Sequence, residues 1–264
     1  MANERSMPVP PLPDDWQEQL AKQAADAAAG EQAVSQYISL KGGVMTFQGT
    51  TIPGNKLKVV ILDSVFERSY YAEAWSPNEI SPPVCFAVGR NEKALAPHNN
   101  SEKKQHSDCA GCDLSQWGSD PKGGKGQACK MRRRLAMIGA DVLAGGNAAI
   151  MNADAFGIRV PPTSLRYWAT FVSQVANVVK RPPYGVVAEI SCKPHAAHQF
   201  EFGVEYVDVI PEALLPAVIA KRTQLGDTFM APWQSATERA AQSEQEKKAK
   251  EAEKKTAAAR ARKY

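Results

Sequence analysis

The segment SDCAGCDLSQWGSDPKGGKGQACK, Ser107 to Lys130, gathers three of the chain's five cysteines and five glycines, with hardly an apolar side chain between them. Such a stretch cannot fold around a core, because it has almost nothing to bury. Something other than the hydrophobic effect must hold it. Cys109 and Cys112 form a C-x2-C knuckle, a tight turn that aims both sulfurs at one point. Zn2+ takes four such donors at about 2.3 Å. Cys85 lies upstream with 23 residues between it and the knuckle, and Cys129 lies downstream with 16 between. The expected centre is therefore a structural Zn2+ on Cys85, Cys109, Cys112 and Cys129, whose binding energy serves as folding energy. Four protein ligands leave no open coordination position, which argues against a hydrolytic zinc. His98 and His106 lie in the same span and could replace one cysteine, Cys85 first. Cys192, in the apolar run VVAEISC, reads as a buried structural thiol.

A metal reading suits a reducing cytoplasm, where clustered cysteines are more often ligands than disulfides. No run approaches the roughly 18 to 20 apolar residues that cross a bilayer, and the opening MANERSMPVPPLPDDWQ lacks the pattern of a secretory signal. A cytoplasmic protein without a membrane partner is expected. The net charge of +4 says little, because residues 236–264 hold nine Lys/Arg against five Glu and account for all of it. A nucleic-acid partner must be argued from local patches.

Residues 1–13 are rich in proline, and the Ala-rich stretch from Asp14 to about Ser35 predicts a helix interrupted near Gly30. Residues 36–49, 56–75 and 82–89 are rich in β-branched and aromatic side chains separated by turn signals, which predicts an antiparallel meander. CKMRRRLAMIG (129–139) reads as a short basic helix, whose N-terminus would favour the Cys129 thiolate. FGIRV (156–160) reads as a strand. Leu165, Trp168, Val172, Val175 and Val179 then recur at helical spacing, ending at Arg181-Pro182-Pro183. Residues 184–192 and 198–209 alternate as a hairpin, and 211–226 reads as helical with Pro216 turning or kinking it. The last thirty residues cannot bury a face and are expected to form a flexible charged tail. The fold class expected is mostly β with helical insertions (α+β), a small, partly open antiparallel barrel carrying the zinc loop. Its divisions are an arm and helix at 1–35, a domain at 36–230 with the zinc subdomain at 85–138, and the tail at 231–264.

Between and beside the cysteines stand Trp117, Lys122, Lys125, Lys130, Arg132, Arg133 and Arg134, and residues 90–134 hold ten Lys/Arg against five Asp/Glu. Lys56, Lys58, Arg68, Tyr70, Tyr71, Trp75 and Arg90 lie on or beside the strands. Aromatics next to a cationic groove are what single-stranded nucleic acid requires, since bases stack and cations follow the phosphates. Tyr71 and Trp75 alternate onto one face and Tyr70 onto the other, so not all three can serve.

Other chemistries are poorly supported. GSDPKGGKG is not a phosphate loop: Ser119 stands where its first glycine belongs, and Gly126 where Ser or Thr must follow the lysine. His195 and His198 sit at a hairpin tip, no nucleophile elbow or H-E-x-x-H occurs, and Asp63, Glu67, Glu189 and Glu201 are scattered on strands. A non-enzymatic role is expected.

The stretch PPVCFAVG, with CAGCDLSQWGSDPKGGKGQACKMRRRLAMI and the downstream VPPTSLRYWATFV and VVAEISCKP, resembles a group of bacteriophage-encoded proteins. That group is similar to the zinc-containing, OB-fold, helix-destabilising single-stranded DNA-binding proteins of phage replication. The resemblance covers about 36–210. It implies an OB-like barrel, Cys85, Cys109, Cys112 and Cys129 as ligands, and Gln116 to Ser119 as the core of the loop. It also implies non-sequence-specific binding of single-stranded DNA in replication or recombination, with replication or recombination proteins as partners, in the host-cell cytoplasm. The chain departs from the family in ending on Arg260, Arg262, Lys263 and Tyr264 instead of an acidic recruiting tail. Two other readings compete: an interaction module that binds a host protein, for example in transcription, through its zinc loop, and a DNA-processing enzyme such as a nuclease.

Overall fold

A computed structural model describes residues 36–72, 82–196 and 199–226, together with Asp15 and Gln19. The chain divides into two units, Met1–Ser35 and Gln36–Tyr264. In the first, the Gln19 amide donates to the Asp15 carbonyl at 3.0 Å. The rest of the expected first helix, Trp75, His198 and the tail lie outside the described residues.

The second unit is organised on one long strand. Strands β1 (Thr46–Phe47) and β2 (Thr50–Thr51) form a small ribbon, and β3 (Lys56–Tyr70) follows. Val, Ile and Leu over 59–62 suit a strand buried on both faces: Val59 and Ile61 enter one core, Val60 and Leu62 the other. Strand β4 (Cys85–Gly89) pairs antiparallel with the far end of β3, and β7 (Val186–His195) with its near end. Along its other edge β3 pairs with β5 (Lys130–Gly139), with a register shift between Ile61 and Asp63. Strand β6 (Phe156–Val160) adds to β5, and β8 (Gln199–Val209) to β7. The order β6-β5-β3-β7-β8, with β4 beside β3, is an open sheet. With three α-helices among the described residues, the class is α+β: mostly antiparallel sheet, open and not closed into a barrel.

Helix α1 (Gly146–Asn152) and helix α3 (Leu215–Leu225) cover one face through Ile150, Ala217 and Val218. Helix α2 (Leu165–Gln174), continued by a π turn over Val175–Val179, covers the other. The expected apolar stripe is borne out: Trp168 and Val175 are buried, and Leu165, Val172 and Val179 pack on the same core. Phe171, outside that stripe, is buried deepest of this set but for Val175. Full burial of such side chains stabilises by about 1.5–3 kcal/mol each. The hairpin of β7 and β8 also matches expectation.

Two expectations are corrected. Residues 130–139 form a central strand, not a basic helix. Leu135, Ala136, Met137 and Ile138 are all buried, a continuous run that fits a strand covered on both faces. No helix N-terminus therefore attends Cys129. Residues 36–49 do not form the first strand of a meander. They contribute β1 and the isolated bridges Tyr37 to Gly157 and Ser39 to Thr46, with Gly42 and Gly43 at φ of 69° and 77° turning the chain.

Candidate metal centre and nucleic-acid surface

The far end of β3 is where the cysteines meet. Cys85 opens β4 opposite Tyr70, while Cys129 directly precedes β5, whose Lys130 pairs with Ser69 on the other edge of β3. The knuckle is fastened between them: Cys109 N donates to Leu95 O at 2.9 Å, and Cys129 N to Leu114 O at 2.8 Å. The buried Ser115 hydroxyl lies 2.6 Å from Cys109 O and 2.7 Å from Cys112 O, tying both ends of the turn. All four cysteines are buried free thiols. They line one cavity of about 20 Å³ with Tyr70 and Leu114, room for a single water or ion.

Among the described residues no set of three or more His, Cys, Asp or Glu side chains is closed into a metal-holding arrangement. The donor type nonetheless suits Zn2+, since the four cysteines line one small cavity and thiolates are ligands that zinc takes. Burial pushes the Cys109 thiol up to about 11, the nearby thiols of Cys85 and Cys112 adding to the rise and Arg68 opposing it. Burial likewise pushes Cys129 up to about 11, with Arg68 opposing and the thiols of Cys109 and Cys85 adding to the rise. Such thiols are protonated at neutral pH, and a bound cation is what would ionise them. His106 also lines the cavity. His98 is instead stacked on Phe86 at 5.1 Å, its Nδ1 accepting from Asn100 N. Cys192 sits in the main core, as expected.

The basic and aromatic candidates separate by burial. Trp117 is 77% exposed on a loop closed by Gly118 N to Gly126 O at 2.9 Å, with Lys122 and Lys125 exposed beside it. Lys130 bonds Asp120 across the same loop at 2.5 Å. Tyr71 is 40% exposed, and Lys58 is exposed. Lys56 is exposed but paired with Glu189 at 2.7 Å, and Arg90 is paired with Asp63 at 2.5 Å.

Two candidates, Arg134 and Arg68, are buried and are corrected as surface contacts. Arg134 is buried against Glu67. Arg68 is buried, its Nη1 donating to Cys129 O at 3.3 Å, so it serves the cysteine cavity. Tyr70 is half-buried and lines that cavity. The arginine run divides because neighbours on a strand face opposite ways. Arg133 goes to one face, over the Phe66 ring at 3.8 Å and bonded to Ser64 Oγ. Arg132 and Arg134 go to the other.

On that other face Arg159 of β6 joins Glu67 at 3.2 Å and lies over the Tyr37 ring at 4.3 Å. Burial alone would raise the Glu67 carboxyl, but the charges of Arg134 and Arg159 and the Arg134 hydrogen bond hold it below the usual range. Sequence reasoning missed Tyr37 and Arg159. The available signal was Arg159 itself, a lone charge in the apolar strand FGIRV.

No family model, curated protein or solved structure among those compared with the chain matches it.

Proposed function

We propose that this protein binds single-stranded DNA without sequence specificity and without catalysis, in the manner of phage replication proteins, with a structural Zn2+ in its loop. One observation carries the reading. Trp117 stands 77% exposed on a lysine-bearing loop rooted in four buried thiols. An aromatic held in water costs free energy, and beside flexible cations it offers a base a stacking surface. Cys85, Cys109, Cys112 and Cys129 would hold the Zn2+, which would supply folding energy and no reaction chemistry. The strand order also supports an OB-like domain: β3, β5 and β6 run as a meander, α2 follows, and the β7–β8 hairpin returns to the other edge of β3. An open sheet in this order would suit a partly open five-stranded barrel.

Fluorescence quenching by poly-dT at several salt concentrations tests the reading. Affinity should fall as salt rises, and single strands should bind more tightly than duplex. Undetectable binding at low salt would sink it. The exposed tryptophan also suits a protein contact, because Trp is enriched at binding hot spots. Stoichiometric capture of a host subunit in the absence of nucleic acid would favour that second reading.

A further inference from the structure

Arg159 of the buried network opens onto a groove of about 280 Å³ that Tyr37, Lys41, Arg132, Pro161 and Phe200 also line. It lies beside the open edge of the sheet. The segment 36–38 bridges β6, with Ile38 N donating to Gly157 O at 2.8 Å, and Phe200 belongs to β8 at the opposite end of the strand order. Residues distant in sequence thus bring aromatic and cationic side chains to one concavity.

Its charge is built in. Glu67 is the carboxylate beneath the groove, and it is already bonded to Arg134 and Arg159. Among the described residues of this cluster, Arg134, Arg159, Arg132 and Lys41 stand with Glu67, four positive charges to one negative. Arg159 is held at its Nε by Glu67, over the ring of Tyr37, with its side chain 36% exposed. A guanidinium held over a ring can offer a base a stacking surface as well as donate to a phosphate. The groove beside α2, lined by Ala169, Thr170, Ser173, Gln174, Asn177 and Val178, carries no charge and no aromatic ring. Charge, planarity and concavity coincide in the groove at Arg159.

We propose that this groove holds one nucleotide of a bound single strand, its phosphate on Arg132 and Lys41 and its base against the Arg159–Tyr37 stack or Phe200. The proposal rests on the strand-binding reading and adds to it a second contact, separate from the Trp117 loop. The volume suits one nucleotide and lies just below the usual range for small-ligand sites.

The test uses the full chain with oligo-dT carrying 5-bromodeoxyuridine, cross-linked by light and mapped by mass spectrometry. Oligo-dT affinity is then measured against salt for wild type, for Lys41→Gln with Arg132→Gln, and for Trp117→Ala. Cross-links at Tyr37 or Phe200 are expected. The double variant should lose affinity on the order of tenfold, with the salt slope falling by about 0.7 for each phosphate that the variant no longer neutralises. Cross-links confined to the Trp117 loop, with an unchanged double variant and a weakened Trp117→Ala, would overturn the groove and leave strand binding standing. No binding by wild type at low salt would overturn both. Thymidine monophosphate binding as tightly as the oligonucleotide, and protecting Tyr37 and Phe200 from cross-linking, would make the groove a free-nucleotide site and overturn its place on the strand. Because the cross-link map is made on wild type, it stands even if the double variant folds poorly.

Discussion

Arg134 Nε donates to Glu67 Oε2 at 2.7 Å across adjacent strands, in an ion pair whose side chains are only 2% and 10% exposed. Arg159 reaches the same carboxylate from β6 at 3.2 Å. One anion therefore organises the cationic face of the sheet.

Removing that anion should be costly. Glu67→Gln leaves the Arg134 guanidinium buried without its counter-charge, and breaking a buried pair from one side typically costs about 3–5 kcal/mol. Urea unfolding should show the midpoint falling at an unchanged slope. A loss below about 1 kcal/mol would mean that Arg134 finds another partner or reaches water.

Acid should act through the same residue. The folded pKa of Glu67 is depressed, so its contribution is fully present above the unfolded carboxylate value of about 4.3 and is lost as pH falls toward the lower folded value. Stability measured from pH 7 to pH 3 should drop more steeply for wild type than for Glu67→Gln in the acid range. Parallel curves would contradict the assignment.

Purified protein should contain one equivalent of zinc by elemental analysis. Cys109→Ser should lower that content, whereas Cys192→Ser, in the main core, should leave it unchanged. Chelation should expose the amides of residues 107–130 to hydrogen exchange before those of β3, because that loop has little else to hold it.

Ser115→Ala removes the hydroxyl that fastens both ends of the knuckle. Groups that orient metal ligands typically contribute about 10–100-fold in metal affinity. Competition with a chromophoric chelator should show a loss in that range, and an unchanged affinity would mean that the turn is held by its backbone alone.

Trp117→Ala should weaken binding to oligo-dT by roughly 5- to 150-fold, the equivalent of about 1–3 kcal/mol for one stacked base. Its exposure predicts a stability change within about 0.5 kcal/mol. Intact affinity would remove the loop from the interface.

The hairpin of β7 and β8 and the stripe of α2 were legible because each keeps one period over many residues. The clustering of four cysteines was legible because thiols in a coreless segment admit few explanations. Strand β5 was not. Its arginines at 132–134 look like a solvated helix face until Glu67, 67 positions before Arg134, is known to lie opposite. The groove was illegible for a related reason. Tyr37, Arg132, Arg159 and Phe200 come from separate segments, and no local spacing joins them.

Glu67 and Arg68 are consecutive residues of β3 that face opposite sides of the sheet, one toward the arginines and the other toward the sulfurs. A single peptide unit is thus common to both places. The buried ion network and the thiol pocket are therefore built on neighbouring residues of one strand, back to back across the sheet.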